Sequence, residues 1–399
     1  MGDGDRGGVR QALPAIGAGL SLIAAEVAVL GIVLNAATAL GLTAEETSAW
    51  VISLYGIPAI LSFLLIARHR QPIVLTGNIF VLIFITRLGD EVAWEALVGA
   101  AVVAGGLVFV LARLGVERRI AIVLPPPIVW GLLAGAVLPF VVDMFSALGD
   151  ERLLVGTTVL VFLAARRWAE PRIPATLVAV VWAVAVAVLA GRIEGGVQPT
   201  LPSPVLTTPE FTVSAMIAVV PVLVVLIMVQ SNIPSVVFLR DQGYQPPIAA
   251  LDASSGIGTA LASTLGPTGI SLSLPATALT SGPEAGRPEW RYVAALVGGL
   301  GAFTIALLSG FAAEVAQLVP RALLTTIVAL AVLDILHNAL QTISGGTLVL
   351  GPLFSFVIAL SDLTLFGLNE FFWAIAGGIG VSLLLERDAW KEHADEHRT

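Results

Sequence analysis

Along the whole chain, apolar runs alternate with short clusters of charge, Pro and Gly. A helix needs about 20 apolar residues to cross ~30 Å of hydrocarbon, and most runs approach that length. The pattern predicts membrane spans over 12–39, 47–67, 73–87, 91–113, 122–147, 152–166, 174–192, 211–231, 246–265, 267–282, 290–316, 320–340, 344–362 and 368–386. Spans three and ten are short and broken. Span three opens on Gln71-Pro72-Ile73-Val74-Leu75-Thr76-Gly77-Asn78, and span ten on Gly266-Pro267-Thr268-Gly269-Ile270-Ser271. Each predicts an extended stretch followed by a half-helix that starts near its Thr-Gly pair.

One interval is unusually polar for its place. Gln230-Ser231-Asn232-Ile233-Pro234 stands at the end of span eight. Arg240-Asp241-Gln242-Gly243-Tyr244-Gln245-Pro246-Pro247, Leu265-Gly266-Pro267-Thr268-Gly269-Ile270-Ser271 and Ser281-Gly282-Pro283-Glu284-Ala285 follow. Lipid holds no water to satisfy free backbone groups. Irregular, amide-rich backbone at membrane depth therefore survives only when it is buried in protein or lines a cavity. The interval is the candidate substrate region of a transporter.

Composition supports an all-α polytopic membrane protein. Of 399 residues, 57% are hydrophobic and 12% charged, with mean hydropathy +0.95, whereas soluble domains carry about 25% charge. Cysteine is absent, which excludes disulfides, thiolate metal sites and a cysteine nucleophile. The histidines are His69, His337, His393 and His397. The last two fall four apart in the charged tail 387–399, which reads as a solvated end in preference to a metal site. A membrane enzyme needs His, Asp, Glu or Cys clustered at depth, and the sequence offers no such cluster. No P-loop pattern GxxxxGK[ST] occurs, which argues against ATP drive. No cofactor or nucleic-acid partner is indicated. The short Gly- and Asp-rich start, Met1 to Gln11, carries no signal-peptide pattern.

Net charge is −8, but orientation follows the placement of Lys and Arg. With the N-terminus inside, alternating spans leave only Arg87, Arg152, Arg192 and Arg321 outside among the 20 basic residues. The other 16, including Arg113, Arg118, Arg119, Arg172, Arg240 and Arg398, fall inside. The bias predicts cytoplasmic termini and supports the two short spans as real crossings.

The spans then divide seven and seven, 1–192 and 211–386, about the polar link 193–210 with Pro199, Pro202, Pro204 and Pro209. Seven is odd, so the second half enters from the opposite side, as in an inverted-topology repeat. The broken spans fall third in each half. A helix N-terminus presents unpaired N–H groups and partial positive charge. Two of them meeting near the midplane make an anion site without a fixed cation. The alternative is that these Gly and Pro residues merely kink packed helices.

The stretch from Gln230 to Tyr292 resembles the BenE family of bacterial benzoate/proton symporters. Its members carry Ser-Gln-Asn-x-Pro-Gly, a Gly-Tyr, Ser/Thr-rich backbone and a Pro-Glu-Ala segment. This chain has Gln230-Ser231-Asn232-Ile233-Pro234-Ser235, Gly243-Tyr244 and Gly282-Pro283-Glu284-Ala285, with Ser48-Ala49-Trp50 and Arg70-Gln71-Pro72-Ile73-Val74-Leu75-Thr76 fitting at the front. It departs by exchanging Gln and Ser at 230 and 231, by Ser235, and by Gly77-Asn78-Ile79-Phe80 where the family tends to Trp-Ser-Thr-Pro-Gly. No carboxylate precedes Glu284 in spans eight and ten, where permeases of the same fold often place one, and the coupling ion stays open. The resemblance implies a benzoate-like substrate, a homodimer and the inner membrane. It also implies a core of spans one to four and eight to eleven moving against a gate of spans five to seven and twelve to fourteen. A nucleobase or other small-anion permease, or an uncoupled anion channel, is the alternative.

Within that frame, Gln230, Ser231 and Asn232 are candidate hydrogen-bond partners of a carboxylate, the alternative being interhelical stitching. Thr76, Gly77, Asn78, Thr268, Gly269 and Ser271 are candidates at the half-helix starts, and Phe80 is a possible ring partner or packing residue. Ionisable residues inside spans default to function, so Glu26 and Asp252 are proton-coupling candidates. Asp334 and His337 share a face of span twelve and are placed to pair. Pro125-Pro126-Pro127 opens span five, where Pro suits a helix start.

Overall fold

The computed structural model describes residues 3–89, 91–115, 125–168, 175–191, 200–361, 363–366 and 368–396. The side chains of 3–10, 315–318 and 393–396 are not described. Arg118, Arg119, Arg172, Arg192, Pro199, His397, Arg398 and the His393 side chain thus lie outside the described residues.

The first half of the chain contains α1 (Asp3–Ala39), α2 (Ala44–His69), strand β1 (Leu75–Gly77), α3 (Ile79–Leu88), α4 (Trp94–Leu114), α5 (Pro126–Asp150), α6 (Arg152–Trp168) and α7 (Ala175–Leu189). The second contains α8 (Val213–Asp241), α9 (Ile248–Ala262), strand β2 (Ile270–Leu272), α10 (Leu274–Ser281), α11 (Arg291–Leu307), α12 (Arg321–Gly345), α13 (Leu350–Leu360) and α14 (Glu370–Leu385). Shorter helices, Ser309–Leu318 and Arg387–Glu396, follow α11 and α14. Among the described residues, seven helices are long and apolar enough to cross a membrane: α1, α2, α4, α5, α8, α12 and the Pro288–Leu307 segment that contains α11. The apolar helices α3, α7, α13 and α14 are shorter.

Two prolines shape the long helices that border the site. A proline ring clashes with the carbonyl four residues earlier and removes one helix hydrogen bond. In α2 a π turn, Ile52–Gly56, precedes Pro58; in α8 a π turn, Leu226–Asn232, precedes Pro234. The wider turn takes up the clash, so neither helix ends there. This corrects the boundary expected near residue 231: α8 runs on to Asp241, and Gln230, Ser231 and Asn232 lie in its interior.

Two other expectations shift. The half-helix in the second half does not start at Thr268-Gly269. Gly266 at φ 152° opens extended backbone through β2, and α10 begins at Leu274 with Ser273 as its cap. The span expected over 290–316 breaks at Leu308.

β1 and β2 pair antiparallel, with Thr76 opposite Ser271. Trp50 fixes the approach to β2, donating from Nε1 to the Pro267 carbonyl at 2.9 Å and meeting the Trp94 ring edge-on at 5.2 Å. Around this centre α4 packs on α8 and α9, and α1 on α11 and α12. On the other side α5 packs on α12 and α13, α13 on α14, and α6 on α7. Asp334 of α12 takes its ion pair from Arg166 of α6, not from His337.

The α4–α9 contact is backbone on backbone. A Cβ added at Gly105 would lie 2.4 Å from the Ala260 nitrogen and 2.7 Å from the Gly256 carbonyl. Overpacking of this kind costs about 1–3 kcal/mol. Gly105→Ala is therefore expected to lower the melting temperature of the detergent-solubilised protein. Gly106→Ala, with nothing within 4 Å of its added Cβ, is expected to leave it unchanged.

Candidate functional site

A cavity of about 790 Å3 reaches the junction of β1, β2 and the α8 π turn. Thr76, Gly77, Asn78, Gln230, Ser231 and Ser271 line it, as does Glu26 from α1. Further lining comes from Tyr55, Phe80, Ser273 and, across the space, Trp130 of α5 and Asp334 of α12. Phe80 and Trp130 meet edge-on with ring centroids 6.2 Å apart. The charged side chains on the wall are Glu26 and Asp334; no Lys or Arg lines it among the described residues.

Asn78 organises the polar floor. Its Oδ1 accepts from the backbone N–H groups of Phe80 (2.9 Å) and Val81 (3.1 Å), capping α3. Backbone nitrogens only donate, so this fixes which end of the amide is oxygen. Nδ2 must then face the remaining partners, Ser231 Oγ at 2.9 Å, Ser271 Oγ at 3.0 Å and the Leu226 carbonyl at 3.2 Å. Both serine oxygens accept from Asn78, which leaves each hydroxyl hydrogen to donate. Gln230 and Thr76 make no side-chain hydrogen bond among the described residues. The floor therefore offers two serine hydroxyls, a threonine hydroxyl and an amide, beside the N-termini of α3 and α10. Such a set suits an anion, and its donors are neutral.

Glu26 is 7% exposed, and its Oε2 is buried without a hydrogen-bond partner. Tyr55 donates from Oη to the Glu26 carbonyl at 3.0 Å, which ties α2 to α1 beside that carboxyl.

Four predicted residues are not on the wall. Asn232 and Asp252 lie behind β2, bonded to each other at 2.7 Å. Gly269 gives its carbonyl to Asn78 N at 2.7 Å and packs against Val81. Thr268 is buried, with Oγ1 unpartnered. Tyr55, Ser273 and Trp130 were missed by sequence reasoning. Ser273-Leu274-Pro275 carried a signal, since Ser at the cap with Pro in the first turn marks a helix start. Trp130 carried none. Among the described residues no cluster fit for a metal ion occurs.

The sequence profile of the benzoate membrane transport protein family, BenE, matches residues 10–384. The chain is 24% identical over 356 residues to the inner membrane protein YdcO of Escherichia coli (strain K12), covering 87% of this chain and 90% of that protein. It is 21% identical over 337 residues to a benzoate membrane transport protein of Acinetobacter baylyi, covering 83% and 84%. In fold it is similar to the transmembrane domain of the cyanobacterial bicarbonate transporter BicA, with TM-score 0.57, 16% identity, and 96% of this chain and 97% of that one covered. It is also similar to SLC26A9, with TM-score 0.64, 15% identity, and 93% and 64% covered. The match across nearly the whole sequence decides membership: the chain belongs to the benzoate membrane transport family, BenE, a family of membrane transporters and not of enzymes.

Proposed function

We propose that this protein carries a small organic carboxylate of the benzoate type across the bacterial inner membrane together with protons, with both termini cytoplasmic. The observation that carries the reading is the cavity floor. Ser231 and Ser271 accept from Asn78, which leaves their hydroxyl hydrogens to donate, beside Gln230 and Thr76, whose side chains have no partner among the described residues. The name of the Acinetobacter relative supports benzoate as the substrate. Phe80, Tyr55 and Trp130 supply aromatic wall for a ring.

The fold neighbours support an alternating-access mechanism in which a core of α1–α4 and α8–α11 moves against a gate of α5–α7 and α12–α14. The antiparallel pairing of two strands, each followed by a short helix, supports a seven-plus-seven inverted repeat. The cavity is bordered by Pro126 at the start of α5 and by Gln341 and Thr342 near the end of α12. The positive-inside rule puts both on the cytoplasmic side, so this conformer faces inward. A homodimer is the proposed assembly.

Glu26 is the proposed proton carrier. Its carboxyl shares the cavity with the substrate donors and lacks a partner on Oε2. A proton there cancels one of two negative charges when the carboxylate substrate enters.

Radiolabelled benzoate uptake into proteoliposomes, with and without an inward proton gradient, tests the reading. Saturable uptake stimulated by the gradient is expected. Flux that does not saturate points to an uncoupled pore, and no flux from folded protein overturns the substrate class. Glu26→Gln is expected to lose gradient stimulation while benzoate exchange at equal pH continues; stimulation that persists removes Glu26 from coupling. Gln230→Ala and Ser271→Ala each remove a hydrogen bond to a charged group, about 1.5–3 kcal/mol. Each is expected to raise the half-saturating benzoate concentration about tenfold or more.

A further inference from the structure

One buried face of α9 is polar, and transport as proposed leaves it unused. Asp252, Ser255 and Thr259 recur at i, i+3 and i+7, a spacing that puts them on one side of the helix, and all three are buried. The helix behind them is anchored: a Cβ at Gly256 would lie 2.5 Å from the Phe109 nitrogen of α4. β2 runs against this face. Its Ile270 N–H donates to Thr259 Oγ1 at 2.8 Å. Its Leu272 N–H donates to Asn232 Oδ1 at 2.8 Å. Asn232 in turn donates from Nδ2 to Asp252 Oδ1 at 2.7 Å and to Ser255 Oγ at 3.1 Å.

The direction of these bonds is fixed. Leu272 N–H can only donate, so the Asn232 oxygen faces the strand and its nitrogen faces α9. An ionised carboxylate only accepts, so Asp252 fits that nitrogen and resists the flipped amide. Without it, the amide loses its shortest acceptor and is held only by the Leu272 N–H and Ser255 Oγ, so its grip on the strand loosens. The strand end that would then shift carries Ser271 and Ser273, both on the cavity wall.

We propose that Asp252 is a positioning residue of the substrate site and not a proton carrier. Through Asn232 it locks β2, and with β2 the Ser271 donor, at the depth and angle that the carboxylate needs. Asp252 does not line the cavity, whereas Glu26 does. The assignment of substrate to this cavity is the reading given above, and the positioning role rests on it.

Two readouts test the role. Hydrogen–deuterium exchange of the unliganded protein reports on the β2 amides whatever the substrate is. Benzoate transport in proteoliposomes separates affinity from coupling. In Asp252→Asn, exchange across 270–272 is expected to rise about tenfold or more. The half-saturating benzoate concentration is expected to rise about tenfold, with maximal rate and proton-gradient stimulation kept. The paired exchange Asn232→Asp with Asp252→Asn puts a carboxylate against the Leu272 N–H and an amide donor behind it. It is expected to restore both the slow exchange and the affinity.

Unchanged β2 exchange in Asp252→Asn overturns the proposal. So does loss of gradient stimulation with benzoate exchange intact, since that marks a carrier. If Asp252→Asn does not fold, recovery of folded protein by the paired exchange supports the lock, and its failure to recover overturns it. If the unsubstituted protein does not move benzoate, the substrate reading fails alone, and the amide exchange still decides the role of Asp252.

Discussion

Everything at this site depends on one constraint: a peptide group inside the membrane must find its partner within the protein. Two strands of three residues each sit at the centre, and a sheet of two strands is all edge. The edges are closed by side chains. Leu75 N–H goes to Ser62 Oγ at 2.9 Å, Ile270 N–H to Thr259 and Leu272 N–H to Asn232. The helix that follows β1 is closed by Asn78, whose own N–H reaches Gly269 across the strands. The residues that seal the backbone are also those that aim the free hydroxyls, so sealing and binding are one arrangement. Removing a single closing group leaves a buried N–H whose desolvation costs about 1–3 kcal/mol.

The same arrangement sets the electrostatics. A carboxylate held by a buried Arg gains a strong, bidentate partner that must then be given up. Here the donors are neutral and the charged wall residues are acidic. Binding an anion among them is favourable through several modest hydrogen bonds and two helix N-termini, each contributing well below an ion pair at depth. A weakly held anion could leave by the mouth of the cavity. In the proposed mechanism a second negative charge at Glu26 opposes the substrate until it is neutralised, which would tie anion occupancy to proton occupancy without direct contact between the two.

Much of the fold was legible in the sequence because apolar length and charge placement are local signals. α1, α2, α4, α5, α8 and α12 fall on predicted spans, and the break in span three comes where Gln71-Pro72 and Thr76-Gly77-Asn78 announced it. The site was legible as a neighbourhood but not in its internal roles. Asn232 and Gln230 are two residues apart in one polar run, yet one holds β2 and the other faces the cavity. That difference is rotational: residues two apart on a helix stand on nearly opposite faces, and which of the two faces meets β2 is decided by packing, which the sequence does not print. Trp130 was illegible for another reason: it is part of the site only because α5 packs across from α3.

Small residues bear on the proposed division into core and gate. Where a Cβ added at a glycine would lie within 3 Å of another helix's backbone, both helices belong to the same proposed body. Gly105 and Gly256 join α4 to α9, and Gly19 meets the Ala294 carbonyl of α11; Gly131, Gly135 and Gly351 join α5, α13 and α14. Backbones packed that closely cannot slide without breaking contact along their length. Between the bodies the contacts are of another kind. Gly31 of α1 faces the Ile327 side chain of α12, and Phe80 meets Trp130, as Phe84 meets Phe371, ring edge against ring face. Side-chain tips change rotamer at little cost, and shear motions in proteins pass through such seams. The serine donors and Glu26 lie on the core side of that seam, with Trp130 and Asp334 opposite. A sliding core would carry the substrate and the proton together, past walls that stay behind.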